Sequence, residues 1–218
     1  MRIPNRLFLR DFPASVSPDV HARLLMRNLE GCCSQRSSLR PKKASSNQPF
    51  KKKKTTTAPK SGGVDDVETI LVTGQEKDKI AAEMERMGDE RKLDGFRRDA
   101  DNVKRSKAVL LMGVNGRKSF GLSCGACCHS TCQQFDSAAR VSGLDFEGPT
   151  CVFKALDLGI ALGSAVKTAS DLNIDNRIMF RAGTGAKRLG YLPRSTVVMG
   201  IPISAFGKSI YFDRKWSK

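Results

Sequence analysis

The stretch of sequence that decides the fold runs from Cys151 to Leu172 and reads CVFKALDLGIALGSAVKTASDL. Apolar and small side chains occupy almost the whole circumference of a helix drawn through these residues. A helix of this kind is normally buried, and its small residues let neighbouring elements approach closely. We therefore predict a central helix buried in the domain. The small residues are Ala155, Gly159, Ala161, Gly163, Ser164 and Ala165.

Strands and helices alternate along the chain on both sides of this helix. Val67–Thr73 is rich in β-branched residues and predicts a strand, which a helix over residues 75–90 follows. Ala108–Val114 is a continuous apolar run, as a strand covered on both faces requires. Thr196–Ser204 predicts a last strand. This alternation predicts an α+β or α/β layered sandwich with a Cys-rich loop, over residues 61–218.

The net charge of +16 is concentrated at the N-terminal end of the chain. Residues 1–60 hold 14 basic and 3 acidic side chains, whereas residues 61–218 hold 24 and 19. Residues 34–60 contain almost no aliphatic side chains, so they cannot bury enough apolar surface to offset the entropy of ordering. We therefore predict a basic, low-complexity and mostly disordered tail over residues 1–60, and a folded domain over residues 61–218.

Five of the seven cysteines lie in the segment from residue 124 to residue 151. If Cys128 is set aside, their spacing is C-x2-C-x4-C-x18-C. Four thiolates complete the ligand set of an iron–sulfur cluster or of a structural zinc ion. Three neighbouring cysteines and one remote cysteine fit a cluster better than zinc, although zinc and the absence of any metal stay open. Cys128 is then a spare thiol. The predicted metal ligands are Cys124, Cys127, Cys132 and Cys151.

A second group of polar residues lies where the central helix gives way to the next helix. Lys167, Asn176 and Arg177 surround this junction. Such groups form either a structural hydrogen-bond network or the lining of a pocket for a flavin or a substrate. We retain all three as candidate cofactor-binding residues. His21 and His129 are the only histidines, so base catalysis by histidine has little support.

The sequence also bears on the cellular location and the partners of the protein. No apolar run approaches the ~18–20 residues that a membrane helix needs, and no secretory signal is recognisable. Seven cysteines without such a signal favour reduced thiols, a metal or a cluster. We expect a cytoplasmic protein with an unidentified redox partner, and neither a membrane nor nucleic acid as a partner. For the oligomeric state, we consider a dimer as one possibility.

Several motifs together resemble those of a known family. They are TAPK (57–60), GVDD (63–66), CGAC (124–127), TC (131–132), GPTC (148–151), DLGIALGSAVKTA (157–169), DNR (175–177), GIPISA (200–205), GK (207–208) and IYFDR (210–214). Through them, residues from about 57 to 214 resemble uncharacterised prokaryotic proteins that contain a ferredoxin domain. The resemblance implies an iron–sulfur protein without an established reaction. This chain departs from the family at Cys128, where the family usually has glycine, and upstream of Thr57, where the family usually has an apolar helix.

Two further resemblances concern the cofactor. The Cys-rich loop is similar to the iron–sulfur module of bacterial electron-transport complex B subunits and of corrinoid iron–sulfur proteins, which implies a four-iron four-sulfur cluster. The order of the remaining elements resembles that of flavin-dependent nitroreductases, which implies a flavin-type α+β sandwich with an inserted cluster loop. Three functions follow as alternatives: an electron-transfer protein, a flavin-dependent reductase that also holds a cluster, and a structural zinc or cluster module whose basic tail contacts nucleic acid.

Overall fold

The computed structural model describes residues 57–212. A short 3-10 turn at Ser61–Gly63 precedes the first strand. The strands are β1 (Val67–Thr73), β2 (Ala108–Val114), β3 (Val141–Ser142), β4 (Glu147–Gly148), β5 (Asp175–Asn176) and β6 (Val197–Ser204). The helices are α1 (Gly74–Arg91), α2 (Asp94–Arg105), α3 (Cys132–Ser137), α4 (Val152–Asp171) and α5 (Phe180–Arg188). The predictions made for residues 1–56, which include all but the last four residues of the predicted basic tail, lie outside the described residues.

The central sheet has four strands in the order β1-β2-β6-β5, and every neighbouring pair is antiparallel. Val67 pairs with Val114 across β1 and β2, and Ala108 pairs with Ile203 across β2 and β6. The antiparallel pairing selects the α+β form of the predicted sandwich, because an α/β fold requires parallel strands. Strands β3 and β4 form a separate hairpin in the segment between Cys132 and Cys151.

Helices α1, α2 and α5 pack against one another and against the sheet, and they enclose the main apolar core. Helix α1 contributes residues at helical spacing, which places them on one buried face. These residues are Ile80, Ala81, Met84 and Met87. Its buried Lys77 donates from Nζ to the carbonyl oxygens of Val103 and Lys104, at 3.0 and 2.8 Å. A cation is well placed there, because the last carbonyl groups of α2 lack partners within the helix.

Helix α4 contacts β1, β2 and β5 and confirms the helix predicted between Cys151 and Leu172. Its burial differs from the prediction. One face of α4 is buried, but Leu156 on the other face is 53% exposed and Ile160 is 47% exposed. Apolar and small residues around a helix indicate where neighbours can approach, and they do not fix how many faces the neighbours cover. No helix in the described part of the chain is long and apolar enough to cross a bilayer.

Candidate metal centre

The four predicted ligand cysteines, Cys124, Cys127, Cys132 and Cys151, line one pocket. Cys128 is not among the residues that line it. Three phenylalanine rings also line it, those of Phe120, Phe135 and Phe153, and so does the imidazole of His129. The four cysteines that the spacing grouped therefore lie around one pocket, and their role as metal ligands stays a prediction.

Three separate parts of the fold bring these thiols to the pocket. The loop between β2 and α3 carries Cys124 and Cys127, and Cys132 is the first residue of α3. Helix α3 begins there because the side chain of Thr131 accepts a hydrogen bond from the backbone N–H of Gln134 at 3.2 Å. Cys151 directly precedes α4. Eighteen residues lie between Cys132 and Cys151 in the sequence.

A backbone hydrogen bond and one arginine join the remote cysteine to the loop. The backbone N–H of Cys151 donates to the carbonyl oxygen of Gly116, just after β2, at 2.9 Å. The guanidinium of Arg140 donates to the carbonyl oxygens of Pro149 and Arg117, both at 3.2 Å. The same guanidinium lies 4.8 Å from the ring centroid of Phe135, within the range of a cation–π contact. These contacts fix the Cys151 side of the pocket against α3.

Exposure decreases from one side of the pocket to the other. Cys124 is exposed, Cys127 and Cys132 are half-buried, and Cys151 is buried with only 6% exposed. The pocket therefore has one side open to solvent and one side set in the protein.

The sulfur of Cys132 is held in an environment that favours the thiolate. The backbone N–H of Ser123 donates to its Sγ at 3.2 Å, and Ser123 Oγ accepts from the backbone N–H of Cys132 at 3.2 Å. The Ser123 N–H is the main reason why the pKa of the Cys132 thiol is lowered from its ordinary value. A thiolate is the form that binds metal, so this hydrogen bond favours ligation.

The four thiols line the same pocket, but their side chains are not arranged as a ready-made set of metal ligands. Within residues 57–212, no three His, Cys, Asp or Glu side chains form a group that could hold a metal ion as they stand. The chemistry of the donor set nevertheless fits a four-cysteine centre, since all four thiols are free and line the same pocket. Ligation would require the side chains to draw together.

Cys128 occupies a backbone conformation that favours glycine. Its φ is +66°, in the left-handed region where a Cβ is crowded by the backbone. This conformation gives a physical reason why glycine suits the position, and it agrees with the departure from the family noted in the sequence. Cys128 is also exposed.

We expect Cys128→Gly to stabilise the protein by about 0.5–1 kcal/mol, because the strain at φ +66° is relieved and part of the gain is lost to chain entropy. Thermal unfolding of the metal-free protein measures the change. Ala126→Gly is the matched control in the same loop. Ala126 does not have a positive φ, so glycine there should lower stability slightly. A lower melting temperature for Cys128→Gly would contradict the role of strain.

The second candidate group has separate partners for each of its three side chains. Lys167 is exposed and pairs with Asp171, one turn further along α4. The amide of Asn176 donates to the carbonyl oxygen of Ile174 at 2.9 Å and to the hydroxyl of Ser170 at 3.3 Å. Arg177 instead contacts the C-terminal segment. It donates to the carbonyl oxygen of Tyr211 at 3.2 Å, and its guanidinium lies 5.3 Å from the ring centroid of Phe212. Cofactor binding by these three residues stays a prediction.

Sequence reasoning missed the aromatic wall and the arginine that braces it. A signal for the wall was present, because each aromatic residue lies within four positions of a predicted ligand. Phe120 precedes Cys124 by four residues, Phe135 follows Cys132 by three, and Phe153 follows Cys151 by two. Arg140 gives no such signal, since its acceptors are backbone carbonyl groups that only the folded chain brings together.

Comparison with solved structures returns nitroreductases. The chain is similar to nitroreductase CinD from Lactococcus lactis at 8% identity and a TM-score of 0.49, over 94% of this chain and 86% of that chain. A nitroreductase family protein from Clostridium novyi matches at 11% identity and a TM-score of 0.40, over 92% of this chain and 90% of that chain. Both TM-scores lie below 0.5, so these likenesses carry no argument about the activity of this chain.

Comparison with sequences identifies the family. An uncharacterized protein of Archaeoglobus fulgidus is 51% identical over 158 residues, which cover 72% of this chain and 84% of the relative. The family model described as "Uncharacterized protein containing a ferredoxin domain (DUF2148)" matches residues 147–214. That match includes Cys151 but not the three other predicted ligands. The predicted resemblance is confirmed, and the chain belongs to this family of uncharacterised proteins that contain a ferredoxin domain.

Proposed function

We propose that this protein binds an iron–sulfur cluster, of the four-iron four-sulfur type, on Cys124, Cys127, Cys132 and Cys151, and that it acts in electron transfer. The observation that carries the proposal is the shared pocket, which these four thiols line and Cys128 does not. Membership of a family with a ferredoxin domain supports the same chemistry. Such a cluster, when bound, supplies one-electron transfer.

The residues of the pocket have distinct tasks in this proposal. The four cysteines bind as thiolates, and the Ser123 N–H favours that form at Cys132. The rings of Phe120 and Phe153, with centroids 5.1 Å apart, exclude water from the buried side of the pocket. The open side, at the exposed Cys124, is the approach for a redox partner, because electron exchange requires the partner to come near.

Anaerobic reconstitution with ferrous iron and sulfide tests the proposal. We expect a broad visible absorption band that bleaches with dithionite, and about four iron and four sulfide per chain. Iron and acid-labile sulfide are measured chemically on desalted protein. The matched control is the same protein with all thiols alkylated before reconstitution, which should stay colourless.

The other two functions that the sequence left open are distinguished by analysing the protein, as purified before reconstitution, for flavin and for zinc. A flavin released on denaturation would favour the flavin-dependent reductase, with Lys167, Asn176 and Arg177 as the residues to test next. A colourless protein that binds one zinc ion per chain would favour the structural module. A native protein that takes up neither iron nor sulfide would contradict the proposed function.

A further inference from the structure

A buried lysine lies next to the cysteine pocket, and the proposed function gives it no role. Lys154, in the first turn of α4, is 1% exposed. Its Nζ lies 2.7 Å from Oδ2 of Asp66 and 3.9 Å from Oδ2 of Asp157. Asp157 is equally buried, and Asp66 is half-buried. An ammonium and one carboxylate are thus removed from water, and a second carboxylate lies at the edge of the group.

These buried charges compensate one another without ideal hydrogen bonds. Oδ2 of Asp66 and Oδ2 of Asp157 are buried and accept no hydrogen bond of good geometry, so the positive charge of Lys154 is what offsets them. Burial raises the pKa of Asp66, but Lys154 and the nearby Lys118 outweigh it and hold that pKa below its ordinary value. Burying an ion pair commonly costs as much in desolvation as it returns, so stability alone is a weak explanation for this group of charges.

The position of Lys154 points to the cysteine pocket. Lys154 follows Cys151 by three residues, which is almost one helical turn. Its Nζ lies 5.9 Å from the ring centroid of Phe120, and this ring lines the pocket. The adjacent Phe153 lines the pocket as well. One aromatic side chain therefore contacts both the pocket and the buried ammonium.

The same group of charges joins the start of the domain to α4. Oδ1 of Asp157 accepts from the backbone N–H of Ser61 at 2.7 Å and from the hydroxyl of Ser61 at 2.8 Å. Asp66 directly precedes β1, and Oδ1 of Asp66 also accepts from Lys118 Nζ at 3.2 Å. Lys118 lies two residues before Phe120. The group thus links the start of the domain, the beginning of the cysteine loop and the beginning of α4.

We propose that Lys154, whose buried ammonium lies beside the Phe120 ring of the pocket, raises the reduction potential of the cysteine-held cluster. This role rests on the proposed function. Reduction adds one negative charge to the site, and a nearby cation favours the state with the added charge. A buried cation acts more strongly than an exposed one, because neither water nor salt screens it well.

The test is a redox titration of the reconstituted protein, followed by visible absorption, for the wild type and three variants. Lys154→Met should shift the midpoint potential to a more negative value, because two carboxylates then lack their cation. Lys154→Arg keeps the charge and should stay close to the wild type. Lys79→Met is the matched control. It removes the same charge from an exposed lysine of α1 and should leave the potential unchanged.

A fourth variant keeps the test decisive if Lys154→Met does not fold or load. Asp66→Asn removes one negative charge and leaves Lys154 in place, so it should shift the potential to a more positive value. Unchanged potentials in both Lys154→Met and Asp66→Asn, or equal shifts in Lys79→Met, would overturn the role of Lys154. A purely structural role would lower the melting temperature of the metal-free variants without opposite shifts in potential. A wild type that takes up no iron would instead refute the proposed function itself.

Discussion

Cys151→Ala should abolish stable iron binding, whereas Cys128→Ala should bind as much iron as the wild-type protein. Cys151 is the buried member of the pocket and is fixed to Gly116 through its backbone N–H, so no other thiol can replace it without movement of the backbone. Cys128 is exposed and does not line the pocket. Four thiolates are the full complement of a cluster, and the loss of one leaves an iron atom without its protein ligand.

The measurement is the iron and sulfide content per chain after anaerobic reconstitution and desalting, together with the visible spectrum. Each variant removes one thiol, so any difference between them reports the position and not the number of cysteines. Far-UV circular dichroism of the metal-free proteins checks that both fold. Full iron in Cys151→Ala with little iron in Cys128→Ala would reverse the ligand assignment and make Cys128 the fourth ligand.

Three of the four strands of the sheet could be predicted closely from the sequence because they carry local signals, whereas the two-residue edge strand β5 was not predicted. Val67–Thr73 and Ala108–Val114 were predicted as strands and have those bounds in the structure. β-branched and continuous apolar runs reflect the burial of each strand on its own, so they can be recognised without a partner. The antiparallel pairing could not be predicted in this way, because the direction of a neighbouring strand depends on connections far along the chain.

The grouping of the four cysteines could be predicted from the sequence, and the surroundings of that group could not. Cysteines are rare and chemically distinctive, so their spacing already pointed to the four residues that the structure places around one pocket. Arg140 and Lys154 look like ordinary charged residues in the sequence. Their roles depend on backbone carbonyl groups, carboxylates and a ring that only the tertiary structure brings close. The predicted burial of α4 was too high because the number of elements that pack around a helix also depends on the tertiary structure.

Helix α5 contains a glycine that is required by its close packing against the sheet. Its Gly183 lies against β6, and a Cβ built there would be 1.9 Å from the carbonyl oxygen of Val198 and 2.7 Å from Cα of Met199. A Cβ built at Gly200 of β6 would likewise lie only 2.7 Å from Cβ of Ala182 in α5. The backbones of α5 and β6 therefore lie in contact where the helix crosses the sheet. Glycine is required there because a Cβ has no room, and not because of the backbone angle φ.

Gly183→Ala should destabilise the protein by at least about 3 kcal/mol, which corresponds to a fall of roughly 6–12 °C in melting temperature for a chain of this size. The neighbouring atoms belong to the backbone of β6 and cannot rotate away, so α5 must move off the sheet. This cost exceeds the gain of up to about 1 kcal/mol that alanine brings to a helix interior. Thermal unfolding of the metal-free protein measures the net effect.

Gly159→Ala is the matched control, since Gly159 also lies inside a helix but has no atom within 4 Å of an added Cβ. Helix propensity alone then applies, and this variant should be more stable than the wild type by about 0.5–1 kcal/mol. The two substitutions are chemically identical, so opposite signs would trace the difference to the contact with β6. Equal melting temperatures for both variants would mean that α5 does not approach the sheet as closely as the structure has it.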